Sequence, residues 1–256
     1  MAATVAPVFD GTQPLFERPT PEELAREAAR LDGAPAEEIL AWADARFGAR
    51  AAIASSFGVE DVVLIDLAAR HAPRLRVFTL DTGRLHPETY EILEVVRKRY
   101  GLELEVYAPE REAVEKLVRE KGAFSFRQGL AERHECCGIR KLEPLQRALQ
   151  GSAAWVTGLR REQSPTRGGV RVVEVDAAHG GIAKVNPLAA WTEAQIWAYV
   201  AERRLPYNAL HDRGFRSIGC APCTRALRPY EDVRAGRWWW EQPEHKECGL
   251  HGRGAE

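Results

Sequence analysis

The sequence predicts an α/β domain built on a parallel sheet, followed by an irregular, cysteine-containing C-terminal tail. Three observations predict it. Short apolar runs alternate with amphipathic segments from residue 51 to residue 121, the pattern of strands buried on both faces and covered by helices. Glycine-containing turns follow the first two of those runs, where such sheets present loops. Beyond Arg204 the periodicity is lost, and the chain becomes dense in Gly, Pro, Trp and Cys.

Each element has a local cause. Thr20-Pro21-Glu22-Glu23 reads as a capping box with proline in the first turn, so a helix starts there. Gly33-Ala34-Pro35 breaks it, and a second helix runs to about Phe47. Strands are expected at 51–55, 76–81 and 104–107, with helices at 60–70, 87–100 and 111–121 between and after them. The chain then reads as helical to Gln150, followed by a strand at 153–157 and two short strands near 170–175 and 182–185. Thr192 caps an amphipathic helix ending near Arg204. The expected organisation is a flexible lead (1–19), a single α/β catalytic domain (20–240) and a mobile tail (241–256).

Composition narrows the class of function. The chain has 256 residues, 45% of them hydrophobic and 29% charged, which is enough to bury a full core. Its formal net charge of -1 provides no global basic field for nucleic acid, so any anion recognition has to be local. No apolar run approaches a membrane span and the first residues carry no leader pattern, so a cytoplasmic location is the expectation. In that compartment five cysteines point to metal binding or reactivity before disulfides.

The cysteines divide into four and one. Cys136-Cys137 and Cys220-x-x-Cys223 form two clips, the number of thiolates that closes a tetrahedral zinc or a four-iron cluster. Adjacent cysteines suit a cubane, whose corner irons accept neighbouring ligands, while zinc clips leave two or more residues between ligands. Zinc nevertheless stays open at this level. Lys141, four residues after Cys137, faces the same site on an α-helical spacing or is an ordinary solvated lysine. Cys248 sits in Lys246-Glu247-Cys248-Gly249-Leu250-His251, too polar and glycine-rich for a core. Nearby His245, Lys246 and His251 would favour its thiolate. A fortuitous surface cysteine or a fifth metal ligand is the plainer alternative.

Two loops suit an anionic, phosphate-bearing ligand. Ser55-Ser56-Phe57-Gly58-Val59-Glu60-Asp61 joins the first strand to the next helix, where free backbone N–H groups meet phosphate; it is neither Walker A nor a dinucleotide fingerprint. Leu80-Asp81-Thr82-Gly83-Arg84 follows the second strand at the same edge. The run after the 153–157 strand carries Arg160, Arg161 and Arg167, whose forks suit sulfate or phosphate oxygens. Arg234 and Arg237 add charge near the second clip, while Trp238-Trp239-Trp240 reads as packing.

Taken in order, Ser55 to Asp61, Leu80 to Arg84, Cys136-Cys137, Cys220 to Cys223 and Lys246 to His251 resemble the assimilatory adenylyl-sulfate (APS) reductases of the PAPS/APS reductase family, from about Ala36 onward. The resemblance implies an adenine-nucleotide α-hydrolase-like (Rossmann-like) fold, a 4Fe-4S cluster on the four paired cysteines, and reduction of APS to sulfite and AMP with thioredoxin as donor. It implies nucleotide contacts at Ser55 to Asp61 and Leu80 to Arg84, and sulfate or phosphate contacts at Lys141, Arg160, Arg161, Arg167, Arg234 and Arg237. It also implies Cys248 as the nucleophile, forming an S-sulfocysteine. With four cysteines committed to a cluster, the second thiol is expected from outside the chain. A homo-oligomer is the expected state. A reductase for the 3′-phosphorylated nucleotide (PAPS) generally lacks both clips, and a dual-substrate enzyme stays open. A tRNA thiolase should show a serine-glycine-glycine-x-aspartate-serine loop, and a zinc-binding interaction module would leave the tail thiol unexplained.

Overall fold

The computed structural model describes residues 19–164, 167–242 and 249–250. The lead at 1–18 and Cys248 with its flanking His245, Lys246 and His251 lie outside the described residues. The chain runs α1 (Pro21–Leu31), α2 (Ala36–Phe47), β1 (Ala51–Ala54), α3 (Val59–His71), β2 (Arg76–Leu80), α4 (Pro87–Tyr100), β3 (Leu104–Tyr107) and α5 (Arg111–Lys121). It continues through α6 (Leu130–Cys137), a π-helical turn (Gly138–Leu142), α7 (Glu143–Leu149), β4 (Ala154–Val156), β5 (Val173–Asp176), β6 (Ile182–Val185) and α8 (Glu193–Arg203). The expected capping box is present at Thr20–Glu23, and Thr192, the expected N-cap of α8, forms a second box with Gln195. No helix among the described residues is long and apolar enough to cross a membrane.

One six-stranded sheet has the order β3-β2-β1-β4-β6-β5. Every neighbouring pair is parallel except β5 and β6, which are antiparallel. The exception has a simple cause: five residues separate these two strands, enough for a hairpin and too few for a crossover. From β1 the chain winds outward through β2 to β3 and then returns to β4 on the other side of β1. Strand order therefore reverses between β1 and β4, and the loops leaving those two strands diverge into a crevice.

Alternation along each strand assigns its faces. Ile53, Val77, Val156 and Val185 join the main core with α1, α2, α3, α4 and α8. Ala52, Phe78, Trp155 and Ile182 face α7, packing on Leu145, Ala148 and Leu149. A third apolar cluster combines Leu117, Phe126 and Trp238 with Cys136, Cys220 and Cys223. The cysteines are thus packed beside the sheet rather than within its two faces.

Candidate active site

A cavity of about 490 Å³ opens at the strand-order reversal. Ser55, Ser56, Gly58, Glu60 and Asp61 line it from the β1–α3 turn, Leu80 and Thr82 from the end of β2, and Thr157 and Gly158 from the end of β4. The β1–α3 turn is held by its own side chains. Asp61 accepts from the Ser56 backbone N–H at 2.6 Å and from the Ser56 hydroxyl at 2.8 Å, and the Ser55 hydroxyl accepts from Phe57 N at 3.1 Å. Phe57 has φ +56°, uncommon for a bulky residue, and its ring is fully buried in the main core. Burial pushes the Asp61 carboxyl up to about 6, although the Ser56 hydrogen bonds pull it down. Gly158 is required by close approach: a β-carbon there would lie 2.6 Å from Asp61 Oδ1 and 3.1 Å from Glu60 Cβ.

Arg160 reaches this cavity with its guanidinium already engaged. Its Nε and Nη2 donate to Glu60 Oε1 at 3.1 and 3.0 Å, and its Nη1 donates to Glu162 at 3.1 Å and to the Trp191 carbonyl at 3.3 Å. Gln163 Nε2 donates to the same Glu60 oxygen at 3.0 Å. The arginine therefore ties the start of α3 to the 158–163 loop and to the approach to α8. Arg161 is not brought to the cavity. It donates to the Val170 carbonyl at 2.8 Å and to Asp32 at 3.1 Å, because the 3-10 turn at Arg161–Gln163 sends neighbouring side chains in different directions. Asp81, Gly83 and Arg84 do not line the cavity either. Asp81 closes its own turn, accepting from Gly83 N and Tyr90 Oη at 2.8 Å each, and Arg84 lies over Phe126 on the cysteine side.

Arg167, Arg234, Arg237 and Lys141 do line the cavity. Lys141 arrives through the π-helical turn, so the α-helical spacing expected for it is corrected: the widened turn carries the chain from Cys137 to Lys141. Arg216, Trp197, His211 and Leu250 also line the cavity; the first three stand in no motif.

A second, smaller cavity lies between the two clips, lined by all four paired cysteines with Arg84, Arg133, Arg140, Lys141, Arg237 and Trp238. It shares Lys141, Cys220 and Arg237 with the large cavity, so these three side chains form a common wall. The second clip is fastened to the loop after β2. Ala221 N donates to the Arg84 carbonyl at 2.8 Å, and the Thr82 hydroxyl lies 3.3 Å from Cys220 Sγ. Trp238 N in turn donates to the Cys223 carbonyl at 3.0 Å. Among the described residues no three His, Cys, Asp or Glu side chains meet as the ligand set of one metal ion; the four cysteines ring a space instead.

The surroundings of that space fit an anionic group. Arg140 Nε, Arg237 Nε and Trp238 Nε1 are buried N–H donors with no hydrogen-bond partner among the described residues, and all three residues line it. Burial pushes the Cys223 thiol up to about 12, helped by Cys220 and Cys137, and raises that of Cys136. Burial acts the same way on Cys220, but Lys141, the Thr82 hydroxyl, Arg237 and Arg140 outweigh it and leave this thiol below its ordinary value. A bound cationic iron or zinc centre would hold all four as thiolates.

Comparison with known proteins agrees with this geometry. Residues 50–226 match the model of the phosphoadenosine phosphosulfate reductase domain. The chain is 54% identical over 200 residues to the adenosine 5′-phosphosulfate reductase of Allochromatium vinosum, covering 78% of each chain. It is 50% identical over 229 residues to that of Burkholderia cepacia, covering 90% of this chain and 89% of the relative. Among solved structures, the phosphoadenylyl-sulfate reductase of Candida auris superposes with a TM-score of 0.69 at 29% identity, covering 85% of this chain and all of that one. An FMN adenylyltransferase of Candida glabrata, at 16% identity and TM-score 0.52, shares the fold alone. The chain belongs to the PAPS/APS reductase family, on the side of the adenosine 5′-phosphosulfate reductases.

Proposed function

We propose that this chain reduces APS to sulfite and AMP in assimilatory sulfate reduction, with Cys248 as nucleophile, thioredoxin as electron donor and a 4Fe-4S cluster on Cys136, Cys137, Cys220 and Cys223. The observation that carries the reading is the common wall. Lys141, Cys220 and Arg237 separate a nucleotide-sized cavity at the strand-order reversal from a space ringed by four cysteines and three unpartnered N–H donors.

The nucleotide lies in the large cavity, its anionic end toward Lys141, Arg167, Arg234 and Arg237. The Cys248 thiolate attacks the sulfur of APS. The S–Sγ bond forms as the bond from sulfur to the bridging oxygen breaks, and AMP leaves with that electron pair on its phosphate. The arginines and Lys141 offset the charge on the transferring sulfonate and on the leaving phosphate. A thiolate of the reduced donor then attacks Cys248 Sγ and expels sulfite, and the donor's second thiol resolves the mixed disulfide. The dithiol loses two electrons, and sulfur falls from the sulfate to the sulfite oxidation state. When bound, the cluster supplies charge and a cross-link between α6 and the 220–223 turn. Arg140, Arg237 and Trp238, whose buried N–H groups line the same space, would donate to it.

APS is favoured over PAPS by the relatives' names and by the paired clips. A cytoplasmic, self-associating enzyme belongs to the same reading. The test uses anaerobically purified protein, labelled APS or PAPS, and no reductant, followed by intact mass. A sulfonate adduct is expected with APS and is abolished in Cys248→Ser; full turnover by protein that never acquires label refutes the covalent scheme. Running both nucleotides side by side decides the substrate. Stoichiometric zinc without acid-labile sulfide would sink the cluster.

A further inference from the structure

The sheet face that α7 covers ends in a buried polar network that the reaction does not use. Trp155 on β4, Ile182 and Lys184 on β6, and Glu174 and Asp176 on β5 all lie on that face, because Trp155 pairs with Lys184, Lys184 with Glu174, and Ile182 with Asp176. Trp155 Nε1 donates to Asp176 Oδ2 at 2.8 Å, and His179 Nδ1 lies 2.8 Å from the same oxygen. The turn between β5 and β6 brings that histidine back. Gly180 and Gly181 both have φ +74°, and Gly181 N donates to the Asp176 carbonyl at 2.8 Å. The indole is flanked by the His179 ring, with centroids 5.4 Å apart, and by Lys184 Nζ, 5.6 Å from its centroid. A second tie runs beside the first. The Thr157 hydroxyl donates to Asn186 Oδ1 at 2.5 Å, and Asn186 Nδ2 donates at 3.2 Å to Glu174, which also pairs with Lys184 at 3.3 Å. Trp155 and Thr157 both line the large cavity, so each of these β4 residues is connected to a carboxylate of β5.

We infer that Asp176 is a positioning residue for the nucleotide, acting through the Trp155 indole N–H to hold that ring as a fixed wall of the large cavity. The inference rests on the reading of that cavity as the nucleotide site. Asp176 is 7% exposed, and a carboxylate so buried is costly unless its oxygens are satisfied. Burial works to raise its pKa, but His179, Lys184 and the indole outweigh it and leave the carboxyl below its ordinary value, ionised at neutral pH. Stability alone does not call for this arrangement, since buried ionic groups are often replaced by apolar ones of similar volume without loss. What a charged acceptor adds is orientation. The bond is made only when Nε1 points toward β5, so a single ring position is selected. Trp155 is itself 1% exposed and therefore offers the nucleotide a shaped boundary rather than an open stacking face. In a close-packed wall, a ring free to turn would intrude on the cavity or leave a void beneath it.

The experiment compares the wild type with Asp176→Asn, Trp155→Phe and the double variant, at a temperature where urea unfolding shows each to be folded. It measures the Kd for AMP and the proton–nitrogen NMR signal of the Trp155 indole, identified by its loss in Trp155→Phe. Asp176→Asn keeps the size of the side chain and an acceptor oxygen but removes the charge. It is expected to weaken AMP binding about fivefold or more, to move the indole proton upfield and to speed its exchange with solvent. Trp155→Phe, which has no ring N–H, should weaken AMP to a similar extent. In that background Asp176→Asn should change AMP affinity by less than about twofold. Wild-type affinity in either single variant overturns the inference, even where the urea midpoint falls, because Asp176 would then serve stability alone. An equal loss of affinity with and without the indole also overturns it, since Asp176 would be acting by another route. If the wild type itself binds no AMP, the reading of the cavity fails. The indole signal then decides the hold on the ring alone, and a signal unchanged by Asp176→Asn overturns it.

Discussion

The pair Glu60–Arg160 offers the sharpest test of how this site is built. If Arg160 is a direct oxyanion ligand, replacing it should weaken substrate handling and spare stability. If it is a tie between α3 and the 158–163 loop, stability should fall first. The geometry favours the tie: the side chain is 5% exposed, two of its nitrogens fall on one oxygen of a Glu60 that is 18% exposed, and Gln163 shares that oxygen. Removing one partner of a buried pair costs about 3–5 kcal/mol. Glu162, 55% exposed, still pairs with Arg160 when Glu60 is gone, which lowers the expectation to about 2–3 kcal/mol for Glu60→Ala. The assay is a urea-unfolding cycle of Glu60→Gln, Arg160→Met and the double variant, with AMP binding measured on each. A coupling of about 1.5 kcal/mol or more is expected, so that Arg160→Met costs much less once Glu60 is already Gln. A coupling below about 0.5 kcal/mol, with AMP affinity lost in Arg160→Met alone, would refute the tie and restore the direct contact.

Further outcomes follow from the same site. Asp61 is raised from 3.8 to about 6, so the folded state binds its proton more tightly than the unfolded chain; that contribution is whole below pH 4 and is lost as pH rises through 6. The stability of Asp61→Asn relative to wild type should therefore climb by about 2 kcal/mol between pH 4 and pH 7 in denaturant titrations, and a flat difference would contradict it. Gly158→Ala forces a β-carbon against Asp61 and Glu60 and should cost about 1–3 kcal/mol, with AMP affinity falling alongside; a neutral substitution would mean the turn yields freely. Arg133 is fully buried, 2.9 Å from Glu241 and 4.7 Å from the centroid of the Trp238 ring, so Glu241→Ala should cost about 3–5 kcal/mol and reduce iron retention on gel filtration. Unchanged iron content would show that the segment after Trp238 holds itself in place.

Much of this architecture was legible in the sequence because it rests on local signals. The capping box at Thr20, the N-cap at Thr192, the alternation from Ala51 to Lys121 and the two cysteine clips each need only a few neighbouring residues to be read. What escaped is set by long-range placement. A run such as Arg160-Arg161 looks like a uniform basic loop, yet one guanidinium turns into the cavity and the other toward Asp32 at the end of α1. Asp81 reads as a ligand-facing acid but closes its own turn. Arg216 belongs to no motif and becomes a site residue only through where the chain returns. The π-helical turn is invisible to periodicity, since i+4 and i+5 spacing differ by one residue in a segment only five long.

The common wall links the cysteine-lined space to the large cavity through shared cations. Lys141 and Arg237 are cations placed between two spaces that each suit an anion, and Arg140 stands behind them, its guanidinium made less favourable by burial before any other effect. Without negative charge on the cysteine side, these cations would repel one another in a poorly solvated setting, and three buried N–H groups would lack acceptors. On the proposed reading, four thiolates around iron would supply that charge and those acceptors and leave the cations available to the sulfonate on the other side. On the same reading, negative charge on the cysteine side would let this cluster of positive charge exist beside the transferring group.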